Sequence, residues 1–503
     1  MMDSTENVAA ISAQPKTATS AAPGTGHGIR VLQNTAVVFA ARSMGLVFAA
    51  AANFMLVRYL GTERLGQYGA IYAYLSLFAW LASLGLAPIL TREAAQARGQ
   101  AASIIHTGVR IAAVVAVVTA ALALAIAPLA HLSGKLLPLL AIGAVEIFLL
   151  VPVSLPGLIF QVDQRQWYNS GFNVIRQTLW LGVVIALYAC GAPLLYVVLG
   201  RLAVAAVEAV LNWRVAQRFL DSSRDFLWDM APGLVRGGLV LAATTVAAAI
   251  YMRIDQVMLH SMVGDKALGP YVAAVRISEL FELVPAAFVS SLFPLLCISV
   301  AEPARFHRHL DLGYRYMVLG GAALSVLFCV GARPLVHLMY GAQYASSAPL
   351  LAVLIWSEVA IFFGSMLGNA LIAAGLQRFL LWPAIVGAGV NVAINLFVIP
   401  RWGALGASWS TVISYWACWT LAFIPFRATR TILWKGFRVL APITALALLI
   451  TWAASLLRIN DWARLGSALA TFAALACLAG FVRRQDLEFA KSIWKTRLGT
   501  RNA

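Results

Sequence analysis

Long apolar stretches recur along the chain between residues 34 and 482, and each is close to the length of one membrane crossing. A helix needs about 20 residues to cross about 30 Å of hydrocarbon, whereas the strands of a membrane barrel alternate over about ten residues. These stretches do not alternate, so they predict an all-α polytopic membrane protein. We place fourteen spans, at 34–57, 67–90, 109–130, 137–160, 171–190, 193–212, 237–260, 269–297, 313–332, 347–375, 380–399, 403–426, 437–457 and 463–482.

The two ends of the chain have a different pattern. Residues 1–30 are rich in Ser, Thr, Ala, Pro and Gly, which predicts a disordered cytoplasmic tail and not a signal peptide. Residues 483–503 are basic, and the tail carries apolar residues at helical spacing at Leu487, Ala490, Trp494 and Leu498. Two interpretations stay open for it: a helix on the anionic inner leaflet, or a solvated basic tail.

Composition supports the membrane assignment. Apolar residues make up 61% of the chain and charged residues 11%, against about 45–50% and about 25% in soluble domains. This excludes a soluble multidomain enzyme and a disordered protein. The five cysteines form no CxxC pair, and no HExxH, GxSxG or Walker A motif occurs. We therefore predict a transporter, not an enzyme, without cofactor, metal or disulfide.

The net charge of +17 has two possible explanations, a nucleic-acid partner or a membrane topology. With the amino terminus inside, predicted cytoplasmic loops carry about three times as many Lys and Arg as outer loops, as the positive-inside rule requires. We therefore predict no nucleic-acid partner, a bacterial inner-membrane location, and both termini in the cytoplasm.

Two short segments match each other at a constant spacing. Tyr59–Tyr68 and Met262–Tyr271 share glycine, leucine, glycine and tyrosine at positions 203 residues apart. Each segment joins the first and second helix of a set of six, so the pattern predicts a parallel duplication. The predicted units are an N-lobe at 31–215, a linker at 216–236, a C-lobe at 237–430, two further helices at 431–482, and the tail at 483–503.

Further motifs give a family resemblance over roughly residues 31–430. They are Arg253-Ile-Asp255, Tyr271-Val-Ala-Ala-Val-Arg276-Ile-Ser-Glu279, Phe293-Pro294, Ala374-Gly375-Leu-Gln-Arg378, Asn391, Asn395, Pro400 and Gly403-Ala-Leu-Gly406-Ala407. With the repeated loop, they resemble polysaccharide exporters of the multidrug/oligosaccharidyl-lipid/polysaccharide superfamily, and among these the Wzx-type flippases of lipid-linked oligosaccharides.

The resemblance implies a fold, a mechanism and a substrate. The fold would be two six-helix lobes around a central cavity, plus two carboxy-terminal helices, working by alternating access. The substrate would be an isoprenoid pyrophosphate-linked oligosaccharide that moves from the cytoplasmic to the periplasmic leaflet. Membrane lipids, a polysaccharide polymerase and glycosyltransferases would be the partners, with a monomer as the working form.

Charged residues inside the predicted spans are the candidate site. A charge at mid-bilayer costs at least about 2.5–3.5 kcal/mol, so it needs a partner or water. We select Arg42, Arg176, Arg253, Asp255 and Arg276 for an anionic substrate, because arginine offers a forked set of donors to phosphate. Glu279, Glu282 and Glu358 are the candidates for ion coupling. The other charged residues in these spans are Glu146, Arg201 and Glu208.

Each candidate also has a structural interpretation. Arg42 would reach back to the cytoplasmic interface. Arg253 and Asp255 point to different sides of their helix, so they would not pair with each other but would take part in an ion pair between the lobes on the outer side. Arg276 and Glu279 would pair within their own helix. Glu358 would be protonated and bonded to a neighbouring helix.

Three other functions remain open. A multidrug exporter of the same superfamily would favour an acidic interior, but the charged residues inside the predicted spans are of both signs. A peptidoglycan-precursor flippase would carry a related lipid. A membrane-embedded glycosyltransferase or polymerase would need a large outer loop with catalytic residues, whereas the predicted outer loops are short.

Overall fold

The computed structural model describes residues 25–220 and 225–482, without the side chains of residues 25–40, 42, 240 and 283. Residues 1–24 of the predicted tail and the whole basic segment 483–503 lie outside this part of the chain. Residues 25–30 form the first turns of the first helix.

The first half of the described chain is a series of helices joined by short connections. They are α1 (Thr25–Ala82), α2 (Leu86–Gln96), α3 (Ala101–Ile126), α4 (Leu136–Ser154), α5 (Leu158–Val162), α6 (Trp167–Cys190) and α7 (Leu194–Ala216). Within this half, α1 packs against α6, and α4 packs against α3 and α7.

The second half continues the same pattern. It contains α8 (Ala231–Met262), α9 (Asp265–Glu279), α10 (Leu283–Ser299), α11 (Pro303–Val330), α12 (Ala332–Tyr340), α13 (Ser347–Leu354), α14 (Ser357–Ala373), α15 (Leu381–Trp419), α16 (Arg427–Leu456) and α17 (Asp461–Leu478). Here α8 packs against α15, and α11 packs against α14, α16 and α17.

Every predicted span lies on a helical segment, so the all-α membrane fold is confirmed. In the described ranges, eleven continuous stretches are long and apolar enough to cross a membrane. Two of them, Ser43–Gln96 and Gln377–Phe423, have 54 and 47 residues, which is enough for two crossings at about 1.5 Å per residue. The remaining predicted span falls on α17, which has 18 residues.

Glycines mark the points where the long helices reverse. Gly61 inside α1 has φ 69° and ψ 175°, and Gly403 inside α15 has φ 55° and ψ −133°. A side chain is strongly disfavoured at such angles, so glycine allows the break between the two passes.

The predicted span 269–297 is divided in the structure. Helix α9 ends at Glu279 and α10 begins at Leu283. Pro285 lies in the first turn of α10, where its missing N–H is tolerated, whereas inside one continuous helix it would remove the bond to the carbonyl four residues earlier. The break separates Glu282 from the stripe that Arg276 and Glu279 form on α9.

The two repeated segments lie against each other in three dimensions. Gly66 contacts the main-chain carbonyl of Asp265, and Gly269 contacts that of Thr62. These contacts are equivalent, because Asp265 and Gly269 are the repeat partners of Thr62 and Gly66. We call residues 61–69 and 264–272 the repeat crossing, and it joins the two halves at one end of the molecule.

Further hydrogen bonds connect the halves beside the repeat crossing. Arg58 Nε donates to the Met339 carbonyl at 2.7 Å, and Gln343 Nε2 donates to the Arg58 carbonyl at 2.9 Å. Tyr344 Oη donates to the Val57 carbonyl at 2.7 Å. The segment after α12 therefore holds the end of the first pass of α1.

Candidate functional site

A cavity of about 370 Å³ lies where α1, α7, α8 and α9 meet, next to the repeat crossing. We call it the central chamber. Both halves of the chain contribute to it, so a molecule bound there would contact both. Its polar lining includes Asn53, Tyr72, Arg201, Arg253, Arg276 and Glu279.

Arg276 joins the two halves across the central chamber. Its guanidinium Nη1 on α9 donates a hydrogen bond to Oδ1 of Asn53 on α1. The same guanidinium lies 5.3 Å from the ring centroid of Tyr68, also on α1, a distance at which a cation is attracted to the ring face. Both partners are uncharged, so the positive charge of Arg276 is not neutralised by them.

Arg253 also lines the chamber, but it forms an ion pair within its own half. Its guanidinium donates to Glu279 of α9. The two side chains are 28% and 31% exposed, because both face the cavity. The structural interpretations proposed a pair of Arg276 with Glu279 and an ion pair of Arg253 between the lobes. In the structure, Glu279 pairs with Arg253 instead, and both belong to the second half.

Asp255 lies away from the chamber lining. It is 2% exposed, and it accepts hydrogen bonds from Tyr271 and from Thr411 Oγ1, the latter at 3.0 Å. The backbone N–H of Gln256 also donates to it at 2.8 Å. This network ties α8 to α9 and α15, as expected for a buried carboxylate that must be hydrogen-bonded.

Arg201 is a chamber residue that the sequence did not single out. On α7 it donates to Glu146 at 3.0 Å and to the Tyr68 hydroxyl at 2.8 Å. It also lies over the Tyr72 ring at 4.0 Å, and Tyr72 donates to Glu146 at 2.9 Å. The spacing of Arg201 and Glu208, seven residues apart on one helix face, could have indicated this role.

A second cavity, of about 440 Å³, adjoins the chamber and shares Asn53 and Arg201 with it. Arg176 on α6 and Glu208 on α7 line this cavity and form an ion pair of 3.3 Å. Arg176 thus lies in a cavity that adjoins the chamber of Arg276, and its role in substrate binding stays a prediction.

The charges around these two cavities do not cancel. Arg201, Arg253 and Arg176 each have a glutamate partner: Glu146, Glu279 and Glu208, respectively. Among the charged lining residues of the two cavities, Arg276 is the one with only neutral partners. Among the lining residues, four arginines thus stand against three glutamates, and the arginine without a glutamate partner lies at the contact between the halves.

Among the remaining candidates, Glu358 and Glu282 lie outside these linings. Glu358 on α14 is 1% exposed and accepts a hydrogen bond from Ser278 at 2.7 Å, while its Oε2 has no partner among the described residues. Glu282 lies in the break between α9 and α10. Arg42 belongs to α1, but its side chain is not part of what the structure describes. The roles of these residues stay predictions.

The family of the chain is shown by its sequence. A family model described as polysaccharide biosynthesis protein matches residues 31–298, more than half of the chain. The chain belongs to the polysaccharide biosynthesis protein family. The resemblance seen in the sequence motifs is thus confirmed at the level of the family.

Two curated proteins match shorter segments of this chain. It is 26% identical over 170 residues to a probable flippase AglR of Haloferax volcanii, covering 33% of this chain and 35% of the relative. It is 24% identical over 106 residues to an uncharacterized membrane protein, MJ1068, of Methanocaldococcus jannaschii, covering 21% of each. The chain therefore matches only about a fifth to a third of the length of these relatives.

Solved structures show a shared fold over most of the chain. The lipid II flippase MurJ in an inward closed conformation aligns with a TM-score of 0.67 at 12% identity, covering 88% of this chain and 98% of that protein. An inward-facing MATE family multidrug transporter of the MOP superfamily aligns with a TM-score of 0.60 at 15% identity, covering 80% and 99%. The polysaccharide biosynthesis family member therefore has a MurJ- and MATE-like membrane fold.

Proposed function

We propose that this protein is a flippase that moves an isoprenoid pyrophosphate-linked oligosaccharide across the bacterial inner membrane by alternating access. The observation that carries the proposal is Arg276, a cation with neutral partners that spans the two halves in a cavity. The family, whose description is polysaccharide biosynthesis, and the likeness to a probable flippase support it.

The chemistry of Arg276 suits a pyrophosphate. A guanidinium offers five N–H donors in a planar fork that matches phosphate oxygens, and an ion pair with a phosphate is stronger than the bond to the neutral amide of Asn53. A pyrophosphate in the chamber would therefore replace Asn53 as the partner of Arg276. That exchange would remove one hydrogen bond between the halves at the moment when the substrate binds.

Loss of this contact gives a physical link between binding and movement. A ligand shifts a conformational equilibrium only through a difference in its affinity for the two states. A pyrophosphate that replaces Asn53 as the partner of Arg276 removes a hydrogen bond between the halves, and so destabilises the conformation in which that bond is present. The lobes could then rock around the site, as in transporters built from repeats.

The charge pattern argues against an exporter of organic cations. Such a substrate would need a carboxylate free to pair with it. The glutamates that line the two cavities, Glu146, Glu208 and Glu279, are each paired with an arginine. The excess charge is positive, so an anionic lipid is the substrate class that the site favours.

The orientation of the chain follows from its basic residues. The connections after α2 and α5, which hold Arg98 and Arg165, lie together through the ion pair of Arg98 with Asp163 at 2.6 Å, and the second pass of α1 separates them from the repeat crossing. The positive-inside rule places these connections in the cytoplasm. Both termini are then cytoplasmic, and the repeat crossing closes the periplasmic side.

Coupling and partners complete the proposal. Glu279, Glu282 and Glu358 are the candidates for a coupling ion, and Glu358 is the one with a buried oxygen that has no partner among the described residues. The proposed protein partners are the glycosyltransferases, whose product is the lipid-linked oligosaccharide, and the polysaccharide polymerase, whose substrate it is.

Translocation by the purified chain in proteoliposomes tests the proposal. The probe is the lipid-linked oligosaccharide fraction extracted from cells that make the protein, followed by access of an added glycan-labelling reagent. We expect Arg276→Ala to reduce translocation at least tenfold. Arg401→Ala, an exposed arginine whose Nη1 bonds the Phe397 carbonyl, should behave like the wild type. Equal translocation by all three proteins, or none by the wild type, would contradict the proposal.

A further inference from the structure

A third cavity, of about 420 Å³, lies between α1 and the segment from α5 to α6. Its lining, among the described residues, is unusually rich in side-chain amides and contains no charged residue. We call it the amide cavity. The amides that line it are those of Gln161, Gln166, Asn169, Asn173 and Gln177.

Helix α6 presents most of these amides on one face. Asn169, Asn173 and Gln177 are spaced four residues apart, so they follow one another along the helix surface. Helix α1 comes close to this stripe because residue 45 is glycine. A Cβ there would lie 2.8 Å from the Asn173 Oδ1, which is too close for an ordinary contact.

The amide cavity continues into the charged site. It shares Ala49 and Gln177 with the cavity of Arg176, and it shares Leu46 with the central chamber. Along α1, Gly45 and Asn53 are eight residues apart, which corresponds to about 12 Å. A path of this length leads from the amides to Arg276, on the side away from the repeat crossing.

Most of these amides have no partner within the described part of the chain. Asn169 Nδ2 donates to the Gly157 carbonyl at 3.2 Å. The side chains of Gln161, Gln166, Asn173 and Gln177 form no hydrogen bond to other described residues. Polar groups on a membrane-spanning helix need hydrogen-bond partners, so Asn173 and Gln177, which lie within α6, are arranged for water or a ligand.

The stripe is not a requirement of the fold. The helix at the corresponding place in the second half is the first pass of α15, up to Gly403. Its amides, Asn391 and Asn395, are fully buried and bond each other at 2.7 Å. The amide cavity therefore belongs to one half only, as expected of a feature that serves the ligand.

We propose that the amide cavity binds the glycan of the lipid-linked substrate while its pyrophosphate lies at Arg276. Each amide offers both donors and an acceptor, which matches sugar hydroxyls, and neutral amides leave the pyrophosphate to the arginines. Trp180, beside Gln177 in the second cavity, provides an aromatic surface for a sugar ring. This inference rests on the proposed function and adds to it a site that recognises the sugar.

Binding by the purified full chain tests the inference with two probes. One is undecaprenyl pyrophosphate, which has no sugar; the other is the extracted lipid-linked oligosaccharide fraction. The variant is Asn173→Leu with Gln177→Met, which keeps similar side-chain lengths and shapes and removes the amides. Thr178→Val is the control on α6, because Thr178 is exposed and bonds its own helix at the Val174 carbonyl.

We expect the double variant to lose about tenfold in affinity for the glycan-bearing probe, since each hydrogen bond contributes modestly. Its affinity for undecaprenyl pyrophosphate and the behaviour of Thr178→Val should not change. Equal loss for both probes, no loss for either, or a wild type that does not distinguish the probes would overturn the amide site. Arg276→Ala distinguishes the failure of the amide site from the failure of the proposed function. If Arg276→Ala leaves the affinities for both probes unchanged, the proposed pyrophosphate site at Arg276 is wrong.

Discussion

Gly66 and Gly269 occupy matching positions in the two repeats, and each contacts a main-chain carbonyl of the other repeat. No side chain separates the two backbones at this point. Alternating access requires that the halves part on this side when they open there. If the proposed flippase works by alternating access, the repeat crossing is its closed gate, and the contact there depends on two glycines.

Substitution of Gly269 by alanine should open this gate. A Cβ at residue 269 would overlap the Thr62 carbonyl, and backbone atoms cannot move aside as a flexible side chain can. We expect a cysteine placed at Leu65, a buried residue of the crossing, to react several-fold faster with a membrane-impermeant thiol reagent. The measurement uses a chain whose five native cysteines are replaced.

A matched glycine provides the control for this experiment. A Cβ added at Gly182 on α6 would meet no atom within 4 Å outside its own helix, among the described residues. Gly182→Ala should therefore leave the labelling rate unchanged. If the cysteine at position 65 reacts at the same rate in the Gly269→Ala and Gly182→Ala proteins, the repeat crossing is not the gate.

The ion pair of Arg253 and Glu279 should make the stability effects of substituting the two residues non-additive. Removal of either partner leaves a charge in a partly enclosed cavity, whereas removal of both does not. We expect Glu279→Gln and Arg253→Gln each to lower thermal stability in detergent. The double variant should be more stable than the sum of the two losses by about 1 kcal/mol.

Strict additivity of the two single effects would contradict this pairing. Arg276→Gln combined with Glu279→Gln is the comparison cycle, because the structure gives those residues different partners. It should show weaker coupling than the first cycle.

Glu358 should tolerate an amide better than an apolar side chain. Glutamine keeps the oxygen that accepts from Ser278, whereas Glu358→Leu leaves that hydroxyl without this acceptor at a cost of about 1–3 kcal/mol. We therefore expect near-native thermal unfolding for Glu358→Gln and a lower transition temperature for Glu358→Leu.

The same pair of variants tests ion coupling. If Glu358 carries the coupling ion, Glu358→Gln should bind substrate normally, yet its translocation should no longer respond to an imposed ion gradient. A gradient response equal to that of the wild type would remove Glu358 from the coupling candidates and leave Glu279 and Glu282.

Much of the fold could be predicted from the sequence because the membrane imposes a length on each apolar segment. The repeat was also visible, since Gly66 and Gly269 are required by a close backbone contact. Pro285 marks an interruption of the span 269–297 in the sequence, but the end of α9 at Glu279, six residues before that proline, was not predicted. Helix length follows from local composition, whereas helix interruption depends on the surrounding packing.

The sequence indicated which charged residues to consider for the candidate site, but not which residues they contact. Arg276 and Arg253 stood out because charges are rare in apolar helices. Their partners, Asn53 and Glu279, depend on how α1, α8 and α9 meet, which a linear pattern does not contain. Asp255 was grouped with the cavity residues, whereas Tyr271 and Thr411 enclose it. Neutral amides such as Asn173 were overlooked because they interrupt an apolar helix less visibly than a charge.

The affinity of undecaprenyl pyrophosphate for the purified full chain tests the central claim most directly. The measurement compares the wild type with Arg276→Gln and with the surface control Arg401→Gln. The account predicts at least a tenfold weaker affinity for Arg276→Gln, because the pyrophosphate loses its charge-assisted partner, and no change for Arg401→Gln. Equal affinities in all three proteins would contradict it.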